Sequence, residues 1–279
     1  MDKEIQQTIR KELEYSGIGL HTGEQIHLAL KPAPVDTGII FVREDLPDKP
    51  GVKACLKNAN KSSRELSLKD NEVEIRTVEH LLATLTTLGI DNVEIVMDGC
   101  EVPIGDGSAM HFVELLKDKI ISQYKPKKTF SPKEPFWVSL NDKHIILLPS
   151  DEFRITYTID FNHKIVKTQF ASFVITKEVF EREIAPARTF GFLEEVKTLY
   201  AQGLAKGGSL ENAIVIGEDR ILNDNLRFDN ELVRHKILDL IGDFTLIGMP
   251  ISGHIIAIKS GHELNLKLLQ KLCHRESRE

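Results

Sequence analysis

His235, Asp239 and Asp243 recur at intervals of four in the stretch Val233-Arg234-His235-Lys236-Ile237-Leu238-Asp239-Leu240-Ile241-Gly242-Asp243. Residues four apart share one face of a helix, so an imidazole and two carboxylates would converge on one small target. The alternative is a solvated polar face, the usual meaning of charges set opposite an apolar stripe, and a third partner from elsewhere is needed to make a site. Glu79-His80 and His262 are the other groups able to do chemistry. Two imidazoles and one carboxylate with a fourth position left for water form a catalytic zinc shell, and His80, His235 and Asp239 would supply it. Glu79 and His262 would then be candidate base and acid. Taken singly, each has a plainer reading. Glu79 improves the charge at a helix start with His80 packed beside it, and His262 is a helix N-terminal residue in an accessible junction. The chain contains no HExxH, which excludes the familiar metallopeptidase pattern.

The elements that must position these groups follow from periodicity. Val233, Ile237, Leu240, Ile241 and Phe244 form the apolar stripe of one helix. Asp229 is its expected N-cap, Phe228 and Val233 its hydrophobic staple, and Gly248 and Pro250 its stop. A second helix is expected after Thr77 as N-cap, with Val78, Leu81, Leu82, Leu85 and Leu88 at helical spacing and Gly89 as terminator. Ile26, Leu28 and Leu30 alternate with polar residues as a half-buried strand does. Gly17-Ile18-Gly19-Leu20-His21-Thr22-Gly23 leads into that strand and not into a helix, so it reads as a hairpin turn and fails as a phosphate loop. Further on, Val93–Val96 is a strand, and Asp106-Gly107-Ser108 turns the chain into a helix carrying Phe112, Val113, Leu115 and Leu116.

Proline and lysine crowd Ser122–Phe136, which reads as a linker dividing the chain into residues 1–126 and 127–279. Beyond it, His144–Leu148 and Phe153–Ile159 are expected strands, followed by a helix near Thr176–Glu183 and an extended Arg188-Thr189-Phe190. Leu193–Gln202 as helix and Ala213–Ile216 as strand would make a small β–α–β excursion near residues 190–216. A strand at His254–Ile258 and a helix at Glu263–Leu272 close the chain. Strands grouped with helices favour α+β sandwiches over a doubly wound sheet. The halves share element order without a residue-level repeat.

Composition bounds the function. The 279 residues carry a net charge of −6 and 41% hydrophobic residues, an ordinary globular balance without the basic excess of a nucleic-acid binder. No apolar run is long enough to cross a membrane. The charged start Met1-Asp2-Lys3-Glu4-Ile5 lacks a signal-peptide core. Cys55, Cys100 and Cys273 are scattered, which suits a reducing cytosol and argues against a cysteine-based zinc site.

Several motifs together carry a family resemblance. Thr77-Val78-Glu79-His80-Leu81-Leu82-Ala83, Ala187-Arg188-Thr189-Phe190-Gly191-Phe192, the His235–Asp243 stretch and Lys259-Ser260-Gly261-His262 resemble signatures of the UDP-3-O-acyl-N-acetylglucosamine deacetylases. So do Gly17–Gly23, Glu101-Val102-Pro103-Ile104-Gly105-Asp106-Gly107-Ser108 and Gly207-Gly208-Ser209. The likeness runs from about Gly17 to Leu272. It implies two α+β domains, each a sheet with paired helices, with the site between them. It implies a cytoplasmic zinc amidase that removes the 2-acetyl group from an acylated UDP-glucosamine at the committed step of lipid A synthesis. On this resemblance His80, His235 and Asp239 hold Zn²⁺ (Fe²⁺ could replace it in such a shell), Glu79 is the base and protonated His262 the acid. Asp243 holds His262 charged, Thr189 stabilises the oxyanion and Lys236 contacts phosphate. Phe190, Phe192, Val196, Leu199, Ala205, Leu210 and Val215 would line an acyl passage, although such a stripe is more often core. Departures fall at Met110-His111, where many members have a small residue and then proline, and at Lys61-Ser62-Ser63-Arg64. The rival readings are a zinc hydrolase for another N-acyl sugar and a sugar-nucleotide binding protein with a structural metal.

Overall fold

The computed structural model describes residues 5–60 and 65–276, so the charged Met1–Glu4 and the divergent Lys61–Arg64 lie outside the described residues. The first half runs β1 (Ile5–Ile9), β2 (Leu13–Ile18), β3 (Gln25–Pro32), β4 (Ile39–Arg43), β5 (Gly51–Lys53), β6 (Ala59–Asn60), β7 (Ser67–Asp70) and β8 (Val73–Ile75). Then come α1 (Glu79–Leu88), β9 (Val93–Met97), α2 (Met110–Leu116) and β10 (Ile120–Pro126). The second half runs β11 (Phe136–Leu140), β12 (Lys143–Leu148), β13 (Phe153–Ile159) and β14 (Gln169–Val174). It continues through α3 (Lys177–Val179), β15 (Phe190–Phe192), α4 (Leu193–Ala201), β16 (Ile214–Ile216), α5 (Glu231–Phe244), β17 (Gly253–Ile258) and α6 (His262–Glu276).

Each half is built on a five-stranded sheet, in the orders β2-β3-β9-β4-β5 and β11-β12-β17-β13-β14. The two have the same topology. In each, the last strand to arrive enters the middle, antiparallel to one neighbour and parallel to the other. A parallel neighbour cannot be reached by a tight turn, so each half carries a long crossover ending in a helix, α1 or α5. Each crossover also holds a small accessory sheet, β6-β7-β8 in the first half and β15-β16 in the second. This is the α+β sandwich that the grouped strands and helices imply, and β15-α4-β16 is the parallel β–α–β excursion expected after Phe190.

The helices α1 and α5 pack on each other at the centre. On α5 every residue but Arg234 and Lys236 is buried, so the polar face is enclosed and the solvated alternative does not hold. His235, Asp239 and Asp243 are 2%, 5% and 0% exposed. Close approach is set by Gly242, where an added Cβ would lie 2.8 Å from the Cα of Glu79. Thr245 Oγ1 donates to the Leu82 carbonyl at 3.2 Å and pins the far end of the pair.

Three local expectations need correction. Thr77 does not cap α1: its φ is +56°, and its hydroxyl donates toward Glu65 and Glu101 and accepts no helix N–H. Asp229 does not cap α5, which starts at Glu231 after Asn230 without a side-chain cap bond. The carboxylate of Glu231 serves other donors. Ser122–Pro126 belongs to β10, paired with β1, so the linker is shorter than its proline content suggests. The helix expected near Thr176–Glu183 is present: Thr176 caps α3, which continues directly as a π-helical turn over Phe180–Ile184.

Gly242→Ala is expected to lower unfolding stability by about 1–3 kcal/mol, the usual penalty of overpacking a tight helix contact. Urea melts read this directly, and a loss below about 0.5 kcal/mol would contradict the close approach.

Candidate active site

The first turn of α1 and the second turn of α5 meet face to face. His80 Nε2 lies 3.8 Å and His235 Nε2 3.3 Å from Asp239 Oδ1, and the two rings stand edge to face with centroids 5.0 Å apart. One donor atom from each of His80, His235 and Asp239 falls within 4.8 Å of the others. Three buried donors converging without an acidic proton among them suit a divalent cation of borderline softness.

Electrostatics agree with that use. Burial pushes the His80 imidazole down to about 3, and His235 beside it adds to the effect. Burial also lowers His235, against the pull of Asp239. Both rings are therefore neutral at physiological pH, as metal ligation requires. His235 Nδ1 lies 3.1 Å from the Ala187 carbonyl, which fixes Nδ1 as the protonated nitrogen and turns Nε2 inward. Burial opposes ionisation of Asp239, but His235, Lys236, His262 and His80 hold it well below the usual carboxylate range.

Two further groups face this centre. Glu79 Oε2 accepts the Leu66 N–H at 3.2 Å, and burial raises its carboxyl to about 8. A bound cation would draw that value down again. His262 Nδ1 pairs with Asp243 Oδ1 at 2.7 Å, and Asn265 Nδ2 donates to the second oxygen at 2.7 Å. Burial disfavours the imidazolium, but Asp243, Asp239 and Glu79 outweigh it and lift His262 to about 9. His262 is 3% exposed, so the accessible junction expected there is a buried helix start. Tyr157, wholly buried, donates to the Ser260 carbonyl at 2.7 Å and fixes the turn that delivers His262.

Other candidates are placed differently from their sequence reading. Lys236 Nζ is 2.6 Å from Asp239 Oδ2 and 5.4 Å from the Phe190 ring centroid, so its charge stands beside the centre. Thr189 is fixed by main chain, its N–H on the Gly107 carbonyl at 2.8 Å and its own carbonyl taking Ile214 N–H at 2.7 Å. The expected acyl-lining residues do not share one wall. Phe190 and Phe192 pair with Ile214 and Ile216, while Val215 pairs with Gly191. Side chains alternate along a strand, so Val215 points to the face opposite the two phenylalanines. Val196 of α4 reaches that second face, 3.6 Å from where a Gly191 Cβ would stand. Phe190 turns its ring toward His235, with centroids 6.3 Å apart. Ala205 is buried at φ +56°, and Leu210 is 49% exposed at the outer end. None of the α4 side chains is buried, so this stripe is not ordinary core.

Sequence reasoning missed the clamp that holds Ala187 and Thr189. Arg188, between them, bonds Glu231 through Nε at 2.9 Å and Nη2 at 3.2 Å, and its N–H also donates to Glu231 Oε1 at 3.0 Å. Arg227 N–H adds a fourth donor at 2.6 Å, and its guanidinium reaches Asp106 Oδ2 at 2.7 Å. Glu231 sits one turn before His235, so the helix bearing His235 and Asp239 also anchors the segment that orients the His235 ring. Forty-three residues separate the partners (231 against 188), and no spacing rule joins them. Asn265, by contrast, lies three residues after His262 on one helical face, and that spacing could have found it.

Two α+β layers enclosing a mixed imidazole–carboxylate centre, flanked by a carboxyl and a charged imidazole, define a hydrolase with a candidate metal site. A family model described as UDP-3-O-acyl N-acetylglycosamine deacetylase (LpxC) matches residues 6–274, and the chain belongs to that family. It is 44% identical over 274 residues to the UDP-3-O-acyl-N-acetylglucosamine deacetylase of Syntrophus aciditrophicus, covering 98% of this chain and 87% of the relative. The enzymes of the same name from Syntrophotalea carbinolica and Bdellovibrio bacteriovorus are 45% and 41% identical, each over 96% of this chain and over 87% and 89% of the relative.

Arg188→Met leaves the Glu231 carboxylate buried without its main partner, which typically costs about 3–5 kcal/mol. Thermal or urea unfolding should register that loss, and a variant as stable as the parent would show the clamp to be dispensable.

Proposed function

We propose that this chain hydrolyses the 2-acetamido group of a UDP-linked, 3-O-acylated N-acetylglucosamine, releasing acetate, a reading supported by relatives named UDP-3-O-acyl-N-acetylglucosamine deacetylase. The observation that carries the reading is the convergence of His80, His235 and Asp239 with Glu79 on one side and the His262–Asp243 pair on the other. In this reading the chain divides near residue 126, and each part supplies one side of the centre: Glu79 and His80 from the first, His235, Asp239 and His262 from the second. None of the described helices is long and apolar enough to cross a membrane. A cytoplasmic location and a place in lipid A synthesis belong to the same reading.

Zn²⁺ is the proposed cation, with Fe²⁺ compatible with the same donors. When bound it supplies a Lewis acid for the amide carbonyl and brings the pKa of water toward about 7. Glu79 takes the proton from the attacking water, whose oxygen bonds to the acetyl carbon. The Thr189 hydroxyl donates to the carbonyl oxygen as it becomes an oxyanion. His262, held protonated by Asp243, delivers its Nε2 proton to the nitrogen as the C–N bond breaks, because an unprotonated amide nitrogen is a very poor leaving group. Lys236 keeps Asp239 ionised and adds positive charge beside the reacting sugar. The acyl chain is accommodated between α4 and the β15–β16 face bearing Val215, where each methylene removed from water contributes ~0.8 kcal/mol.

Glu79→Ala and His262→Ala are expected to lower turnover about 10²- to 10⁴-fold while retaining metal, whereas His235→Ala should lose metal on elemental analysis. Near-normal acetate release by either of the first two, with metal present, would refute its role. Assays with substrates lacking the acyl chain or the UDP group separate this reading from an amidase for simpler N-acyl sugars. A folded, metal-loaded protein without acetate release would favour a binding protein.

The pH profile has a definite sign. His262 acts as imidazolium, so the alkaline limb of kcat/KM follows its loss of a proton near pH 9. Asp243→Asn removes the charge that sustains it and should move that limb to lower pH. The same raised value stabilises the fold below the ordinary histidine pKa, and this contribution is lost as pH rises through about 9. An unmoved alkaline limb in Asp243→Asn would exclude His262 as its source.

A further inference from the structure

Directly before α1, Thr77 is 4% exposed and holds φ at +56°, a conformation rare for a β-branched residue. Such backbone persists only where its surroundings enforce it. Here the enforcing groups are two buried carboxylates. Thr77 Oγ1 lies 3.0 Å from Glu101 Oε1 and 3.1 Å from Glu65 Oε2. One hydroxyl proton serves one of them, and the other needs a separate donor. Glu65 has such a donor in Arg76 Nε at 2.8 Å, and the His21 ring nitrogen Nε2 lies 3.3 Å from its other oxygen. Glu101, with no exposed surface, takes the main-chain N–H groups of His21 and Thr22, each at 2.8 Å. The loop fits around that carboxylate only because residue 19 is glycine, whose added Cβ would stand 2.6 Å from Glu101 Oε2. His21, Glu65 and Glu101 also bring donor atoms within 4.8 Å of one another, but the carboxylate oxygens already hold these protein donors, so the cluster is a clamp and not a second cation site.

The clamp leads in two directions. Toward the centre, Glu65 precedes Leu66, whose carbonyl accepts Val78 N–H at 3.2 Å and whose N–H holds Glu79 Oε2 at 3.2 Å. Outward, the carbonyls of Leu20 and His21 accept the N–H groups of Gly207 and Lys206 at 3.1 and 3.2 Å, in the turn that leaves α4. From these contacts we infer that Thr77, Glu101 and Glu65 are positioning residues for Glu79: they lock the left-handed residue that aims the first turn of α1, and they tie that aim to the seating of the β15-α4-β16 excursion. Neither the Gly17–Gly23 loop nor Glu101 is used in the reaction itself, and this placement gives both a purpose.

The inference rests on Glu79 as base, and a double-mutant cycle keeps the two claims apart. Thr77→Val keeps the shape and removes the hydroxyl. Misplacing the base should lower kcat by roughly tenfold to a hundredfold, with KM within about twofold and metal content unchanged, and Thr77→Ser should restore most of the rate. In a Glu79→Gln background the same Thr77→Val change should lower kcat no further. A fall of equal size in both backgrounds, or a Thr77→Val enzyme as fast as the parent, overturns the inference. Full turnover by Glu79→Gln alone would instead refute the base assignment. Should Thr77→Val fail to fold, Glu101→Gln serves in its place, since in either orientation its amide sets N–H against a loop N–H, that of His21 or of Thr22. Failure of Glu101→Gln to lower kcat would then count against the clamp.

Discussion

The contact between α1 and α5 is the constraint on which the rest of the molecule depends. Neither helix carries a complete set of groups, and the donors face one another only because Gly242 lets the backbone of α5 approach Glu79 without an intervening side chain. Burial does the remaining electrostatic work. It keeps His80 and His235 neutral and raises Glu79, while the carboxylates around His262 reverse the same effect on that ring. Four groups in one pocket thus reach different protonation states through differences in their immediate partners, which is the separation an acid–base pair beside a metal ligand set requires.

Each half solves the positioning problem in a similar way. The crossover before the central strand carries an accessory sheet, and chain beside that sheet orients a group on the helix: Leu66 N–H on Glu79, the Ala187 carbonyl on His235. Each orienting segment is fixed by a buried carboxylate taking several donors. In the first half Glu101 gathers His21, Thr22 and Thr77, and in the second Glu231 gathers Arg188 and Arg227. Arg227 also reaches Asp106, so an ionic strut joins the two systems across the halves.

Much of this was legible in the residues. The 3.6-residue stripe from Val233 to Phe244 defined α5, alternation at Ile26, Leu28 and Leu30 defined β3, and the order of elements implied an α+β sandwich with its β–α–β excursion. His235 and Asp239 were recognisable as sharing a helical face. That face could not be known to be buried, because the helix covering it, α1, lies far away in the chain. For the same reason the pairing of Arg188 with Glu231, forty-three residues apart, had no local signature, whereas Lys236 and Asp239 stand three apart on one helix, a spacing that offers the pair. Caps misled where a side chain had a stronger tertiary partner: the Thr77 hydroxyl has carboxylates to serve, and α5 starts at Glu231, past the expected Asp229. The expected acyl-lining set spans both faces of the β15–β16 ribbon, because hydrophobicity marks an apolar residue without saying to which side of a two-strand ribbon it points.

The arrival of β9 and β17 in the middle of their sheets has a consequence for how the molecule is made. Each must slot between strands laid down much earlier, after the intervening excursion has been looped out of the way, and pairings of such long sequence separation form slowly. β17 comes near the end of the chain, and the helix carrying His262 follows it immediately. In a newly synthesised polypeptide His262 therefore reaches the centre only once β17 has entered the second sheet, so the centre is completed by that pairing.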